Sequence, residues 1–306
     1  MKPLLPENSP AISVVIASVN GLPSIAECLD HLARQQGEIS REVLVMDRCD
    51  AKTRQEIRRR FALPEIQLIE VAGHPSIPKL RAMGISRARG RLIAILEDHC
   101  NVPPAWFRTI IQSHEAGHEV MSGPVENGAV DRVVDWAVFF CEYVRFMPPM
   151  PRGTVDEIAG NCAIYTREVL DRIGPELREE LWEPFLHARI REMGIPFYND
   201  PALAVVHKKE FGFVYFFSQR YHYSRSFAGM RMRAAPFWKR LTYSIGTVLL
   251  PAILFGRMTK TVFKKGRHRL RFLVAAPVIA VFLISWAWGE AVGALCGPGN
   301  SLARVE

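Results

Sequence analysis

Apolar and polar positions along the first 200 residues fall into two alternating kinds of block. Short apolar runs bounded by turn residues, at 12–17, 42–46, 66–71 and 91–96, have the pattern of strands buried on both faces. Between them, 22–36, 51–61 and 77–89 carry apolar residues at helical spacing, with Gly37 and Gly90 just beyond the first and last. Strands alternating with helices predict an α/β fold with a mostly parallel sheet and helices on both faces. Further along, 106–115 reads as a helix, 119–125 as a strand, the aromatic-rich 130–147 as a buried helix, and 197–207 as a final strand region.

The pattern changes near Pro236. Residues 241–256 are 16 positions without a charge, with Pro251 inside, and 272–296 are 25 positions with only Glu290 charged. A bilayer-spanning helix needs about 20 apolar residues, so the second run is long enough and the first is marginal. Between them, 257–271 carries seven Lys or Arg. The expected domains are therefore 1–235 and a membrane-associated region at 236–306.

Composition narrows the partners. The chain of 306 residues is 49% hydrophobic and 23% charged, with a net charge of +8. That balance suits an anionic partner. Much of the excess flanks the apolar runs, which points to lipid head groups and away from nucleic acid. The six cysteines are scattered without a CxxC pair, as in a reducing compartment. The N-terminus shows no apolar signal region, and there is no internal repeat.

The candidate chemistry centres on Arg91–Cys100. Its apolar run ends in Glu97-Asp98-His99, at the carboxyl end of a central strand, where open α/β sheets bind ligands. Two carboxylates and an imidazole suit a divalent cation. Taken alone, the stretch reads equally well as a strand that ends in polar residues on reaching water. His114-Glu115-Ala116-Gly117-His118 matches the zinc-peptidase spacing formally. That motif needs both histidines on one continuing helix, and Gly117 followed by a strand-like run argues for a solvated helix end.

Several motifs in order resemble a family-2 glycosyltransferase of the GT-A fold, over about the first 200 residues. They are Ala17-Ser18-Val19-Asn20, Asp47-Arg48-Cys49-Asp50, Leu80-Arg81-Ala82-Met83-Gly84, Glu97-Asp98-His99 and the Gly160-Asn161 strand. A later stretch, from Glu179 through Glu183 to Arg189 and Gly194, resembles the family's Glu-Asp-x-Asp-Leu-x-x-Arg pattern, and its register sets Glu183 at the catalytic aspartate. The resemblance implies a nucleotide site made by Ala17, Ser18, Asn20, Asp47 and Arg81. It implies Glu97, Asp98 and Asn161 near the donor sugar and the metal. His99 stands where a metal-ligating aspartate is usual, with Asp98 as the alternative ligand, which favours Mn²⁺ over Mg²⁺. Glu183 would be the base, with Glu180 as fallback. Arg220 and Arg225, in a segment that resembles one capping the family's active site, would neutralise the diphosphate. Val19 replaces a base-stacking aromatic. Each residue also has an ordinary structural role open to it: Asp47 as a turn residue, Arg81 as a solvated helix charge, Glu183 as an N-terminal helix acid.

The expectation is a membrane-bound inverting glycosyltransferase that uses a divalent cation, a nucleotide-sugar donor and a lipid-linked or polysaccharide acceptor. Nucleotide sugars are cytoplasmic, so the catalytic domain would face the cytoplasm at the inner membrane. The positive-inside rule then keeps 257–271 inside, with 241–256 interfacial or re-entrant, 272–296 crossing and the C-terminus outside. The alternative is an inactive, membrane-anchored relative that binds sugar nucleotides, suggested by Val19 and by Glu-Asp-His in place of Asp-x-Asp.

Overall fold

A computed structural model describes residues 9–174 and 180–305. Among these the chain divides into two compact units. One runs to Glu126 and resumes over Pro148–Lys208, and the other takes Asn127–Met147 and everything from Lys209 onward. The boundary expected near 235 is thus displaced. The aromatic helix at 133–143 and the segment after Lys208 have their apolar partners among the C-terminal helices.

The first unit is built on an eight-stranded sheet. Its strands are β1 (Ile12–Ser18), β2 (Arg41–Asp47), β3 (Ile66–Glu70), β4 (Leu92–Glu97), β6 (Val120–Ser122), β8 (Gly153–Val155), β9 (Cys162–Thr166) and β10 (Phe197–Asn199), in the order β3-β2-β1-β4-β9-β6-β10-β8. The first four are mutually parallel, as the alternation of strands and helices requires. β9 enters antiparallel between β4 and β6. Helices α1 (Leu22–Ala33), α2 (Ala51–Arg60) and α3 (Ile77–Arg87) are the crossovers, followed by α4 (Trp106–Glu115), α6 (Arg167–Asp171) and α7 (Glu183–Glu192). Every residue of β1 is buried. That leaves its Ser13 in need of a partner, and Glu42 supplies one at 2.6 Å while also receiving the Arg89 guanidinium.

The run expected as one strand over 119–125 breaks at Gly123-Pro124. Proline has no N–H to give a ladder, so the chain leaves the large sheet. β7 (Val125–Asn127) joins β5 (Cys100–Asn101) and β11 (Val205–His207) in a small second sheet.

The second unit is helical: α5 (Val133–Tyr143), α8 (Phe213–Arg231), α9 (Phe237–Gly246), α10 (Leu250–Lys265) and α11 (Arg269–Cys296). The spans Phe237–Lys265 and Arg269–Cys296 are long and apolar enough to cross a membrane, by length and composition. The uncharged run does not end its helix at 256. α10 continues through four of the basic residues and stops where Gly266 adopts a left-handed conformation. α8 and α11 cross closely because Gly289 and Gly293 present no side chain. A Cβ on Gly289 would lie 2.3 Å from the Tyr221 carbonyl oxygen, and one on Gly293 equally near that of Arg225.

In the first unit, α7 packs Leu186 and Ile190 into the core beside Tyr165, and buries His187 with its Nε2 2.7 Å from the Tyr165 hydroxyl. Burial, with some help from the charge of Arg191, lowers the imidazole from 6.5 to about 3. Between those values the unfolded chain holds a proton that the native state does not. Stability should therefore fall as pH drops from 6.5 towards about 3, by at most about 1.4 kcal/mol per pH unit for this group. His187→Phe should be less stable at pH 7, by about 1–3 kcal/mol for the stranded hydroxyl, yet have a flatter acid limb in urea titrations from pH 7 to 4. An unchanged limb would assign the acid sensitivity elsewhere.

Candidate active site

The parallel register brings several polar residues to one edge of the sheet. Ser18 lies opposite Asp47 across β1 and β2, and Ala17 lies opposite Glu97 across β1 and β4. Asn161 precedes β9, and its carbonyl accepts from the Glu97 N–H at 3.1 Å. Asp47 is fully buried. Its Oδ2 accepts from Arg54 at 3.3 Å, and its Oδ1 has no partner. Asn161 Oδ1 is likewise buried and unpartnered. Buried polar atoms are nearly always bonded, so two orphans on one edge mark places where a ligand's donors fit.

Asp98 is the best-bonded side chain here. Oδ2 accepts from the N–H groups of Val19 and Asn20 at 2.8 and 2.9 Å. Oδ1 accepts from Asn20 Nδ2 at 2.6 Å and lies 2.8 Å from His99 Nδ1. Both oxygens are thus used in holding the turn after β1 and in setting the His99 ring. Burial alone would raise this carboxyl, but the hydrogen bond and charge of His99 and the Val19 and Asn20 donors hold it below the usual carboxylate range. The alternative that made Asp98 the metal ligand therefore has little support in this arrangement.

With Nδ1 turned to Asp98, His99 directs Nε2 at Glu97 Oε2, 3.3 Å away, and at His207 Nε2, 2.9 Å away. His207 Nε2 is 3.8 Å from the same Glu97 oxygen. Among the described residues these three form the cluster able to hold a metal ion, with one ligand atom from each within 4.8 Å of the others. Burial alone would lower His99. Hydrogen bonds to Asp98 and Glu97, and their charges, raise it instead. Burial likewise opposes ionisation of Glu97, but the His99 hydrogen bond and the charges of His99, Arg81 and His207 prevail and keep it ionised. The nearby thiols are not part of this cluster, and burial pushes Cys162 up to about 12 and Cys100 well above its ordinary value.

His207 was not among the residues expected at the site. It arrives on the small sheet, where β11 pairs antiparallel with β5 and His207 sits opposite Cys100. The one local sign was a strand ending Val205-Val206-His207. Nothing in the spacing ties it to a residue 108 positions earlier.

Arg81 spans the gap between carboxylates. Nη2 is 3.1 Å from Glu97 Oε1, and Nη1 contacts the Glu183 carboxylate. It is 5% exposed, so it is not the solvated charge that its helical position allowed. Glu183 opens α7, and Gly160 makes room for it: a Cβ there would meet Glu183 Cγ at 2.7 Å. Glu180 points elsewhere, accepting from Ser76 Oγ at 2.6 Å. Glu179 lies outside the described residues. The helix carrying His114 ends at Glu115, and His118 stacks on Tyr198, so those histidines form no zinc pair.

Arg220 and Arg225 belong to the helical unit and are engaged there. Arg220 is buried, 2.9 Å from Glu142, with its guanidinium over the rings of Phe216 and Trp286. Arg225 donates to the Gly297 carbonyl. The expectation that they meet a diphosphate gains nothing from these contacts, which engage both side chains inside that unit.

Comparison with known proteins agrees with this geometry. The family model described as glycosyl transferase family 2 matches residues 13–174, more than half of the chain. Among curated proteins, mouse polypeptide N-acetylgalactosaminyltransferase 12 is 28% identical over 141 residues, and the succinoglycan biosynthesis protein ExoO of Rhizobium meliloti is 28% identical over 116. These matches cover 44% and 38% of this chain but only 23% and 33% of the relatives. Among solved structures, the mannosyltransferase PcManGT of Pyrobaculum calidifontis, in complex with GDP-Man and Mn²⁺, superposes with a TM-score of 0.60 at 16% identity, covering 92% of this chain and 87% of that one. GalNAc-T7 with UDP, GalNAc and Mn²⁺ gives 0.51 at 16% identity, covering 67% and 45%. The sheet order, the parallel β1–β4 core and the family match together establish that this chain has the GT-A fold and belongs to glycosyl transferase family 2.

Proposed function

We propose that this protein is a membrane-bound, metal-dependent inverting glycosyltransferase that moves a sugar from a nucleotide-diphosphate donor to a lipid-linked or polysaccharide acceptor. The observation that carries the reading is the convergence of Glu97, His99 and His207 beside an Arg81–Glu183 pair on one sheet edge. The solved neighbours crystallised with GDP-Man or UDP and Mn²⁺ support the choice of ligands. The catalytic unit would face the cytoplasm at the inner membrane, where nucleotide sugars are made.

The donor set fits a divalent cation on its own chemistry. With Nδ1–H given to Asp98, loss of the Nε2 proton that otherwise bonds to Glu97 would free an Nε2 lone pair beside a carboxylate oxygen and a second imidazole, a donor set that a divalent cation fits. Two imidazoles and one carboxylate favour Mn²⁺ over Mg²⁺. Such an ion, held by Glu97, His99 and His207, would offset charge on the leaving diphosphate. Asp47 accepts from the nucleotide base through Oδ1, with Ala17, Ser18 and Asn20 shaping the same slot. Asn161 Oδ1 accepts from the donor sugar. Glu183 takes the proton from the acceptor hydroxyl as it attacks the anomeric carbon, and Arg81 fixes its position relative to Glu97. If the acceptor oxygen belongs to a phosphate, no base is needed and Glu183 matters less. The inactive-relative reading drew on Val19 and on the incomplete Asp-x-Asp motif; the position of His207 beside Glu97 and His99 supports the active reading against the second of these.

Titration calorimetry with UDP and GDP, with and without Mn²⁺, tests the assignment. Binding should require Mn²⁺, and His207→Ala should weaken it by about tenfold or more. Asp98→Asn, which cannot orient His99 in the same way, should weaken Mn²⁺ affinity by about 10–100-fold while leaving all three ligands in place. Binding of either nucleotide that ignores Mn²⁺ and both variants would remove the cation from the proposal. Glu183→Gln should keep nucleotide binding and lose about 10²–10⁴-fold in transfer to a hydroxyl acceptor. An unchanged rate would move the base role elsewhere.

A further inference from the structure

The helical unit holds an apolar surface that its own packing leaves uncovered. On α11 the buried positions, among them Phe272, Ile279, Phe282 and Gly293, form one stripe. The exposed ones, among them Leu270, Leu273, Ile284 and Trp288, form another. α9 and the short turn that joins it to α10 continue the exposed surface: Trp238 is 72% exposed and Val248 79%. Towards the Gly266 turn the exposed face becomes cationic, with Arg257, Lys260 and Lys264 at helical spacing.

The buried stripe of α11 is covered by other helices of the unit, aromatic at its start and polar towards its end. Phe272 packs on Phe140 of α5. From Phe282 onward the partner is α8, running parallel: Phe216 meets Phe282, Ser285 Oγ donates to the Phe217 carbonyl at 2.6 Å, and Gly293 abuts Arg225. α8 carries Gln219, Arg220, His222, Arg225 and Arg231. The chain after α11 then turns back along α8. Pro298 lies against Gly229, Ser301 Oγ is 3.1 Å from His222 Nδ1, and the Arg304 carbonyl accepts from Gln219 at 2.9 Å.

From this arrangement we infer that the helical unit is monotopic: the α9–α10–α11 hairpin is embedded in one leaflet of an anionic bilayer, and both its turn and the C-terminus stay on the side from which the chain enters at Lys209. The inference rests on the membrane association proposed above and specifies its form. A crossing α11 would take α8 and the returning tail into the hydrocarbon with it, including Arg220, Arg225, Arg231 and Arg304, and charged side chains are rare and costly there. The Phe237–Lys265 span is long enough to cross, but its uncharged run is only 16 residues, below the roughly 20 usual for a crossing helix. An apolar face that grades into a cationic one is the pattern of a helix lying at the head-group boundary, and the cationic part selects anionic lipid. The monotopic arrangement is an alternative to the expected topology, in which 272–296 crossed and left the C-terminus outside.

Sided labelling decides the point. The full chain in sealed inside-out and right-side-out membrane vesicles is treated with an impermeant maleimide, and labelled cysteines are identified by mass spectrometry. The probes are native Cys296, which is exposed, Lys264→Cys at the turn and Lys52→Cys on the catalytic unit. All three should label from the same side. Cys296 reacting only from the side opposite Lys52→Cys, or Lys264→Cys doing so, overturns the monotopic arrangement while leaving membrane association intact. Flotation of purified protein separates the two claims. It should bind phosphatidylcholine vesicles that contain phosphatidylglycerol better than pure phosphatidylcholine, and lose about fivefold in affinity for each of Lys260→Gln and Lys264→Gln. Val248→Glu, at an exposed position, should release it from vesicles with Mn²⁺-dependent nucleotide binding intact. A detergent-free dimer with no affinity for either vesicle would mean that a second copy covers the face, and would overturn the inference and the membrane reading together, though not the transferase reading.

Discussion

One buried carboxylate sets much of the geometry of the catalytic unit. Asp98 draws two backbone N–H groups, an amide and an imidazole onto two oxygens. The turn that leaves β1 is thereby fastened to the end of β4, two strands that already share a ladder. A buried acid without such donors would take up a proton or force the site open. With them it remains an anion and holds the His99 ring at a fixed angle. The positions of Glu97 and His207 have meaning only against that ring, so the order of the site follows from the least available of its acids.

Charge around that anchor alternates. Glu97 lies between the His99–His207 pair on one side and Arg81 on the other, and Arg81 passes on to Glu183. No acid in this row is left to face another directly. The groups proposed for two different tasks, holding a cation and accepting a proton, are therefore coupled through one guanidinium. A change in charge at one end is felt at the other without any movement of the backbone.

The residues around β1 to β4 were legible in sequence because they are local. Asp47 and Glu97 each close an apolar run, and a strand end is visible from composition alone. Arg81 and Glu183 depended on the family pattern, since nothing in their neighbourhoods says which way they point. His207 was invisible because its importance comes from β5–β11 pairing, a contact between strands of two and three residues that no periodicity reveals. The role expected of Arg220 gains no support for a related reason. An arginine among aromatics reads as a ligand-binding group until Glu142, distant in sequence, is found already holding it. The boundary near 235 was misplaced because hydropathy marks where apolar segments start, whereas α5 and α8 join the helical unit by packing.

The family match ends at residue 174, whereas the base candidate stands at 183 and the second imidazole at 207, one residue before the chain passes into the helical unit. On the proposed assignment, the segment that the family model matches is incomplete by itself. Moved alone, it would carry the proposed nucleotide slot without Glu183 or His207.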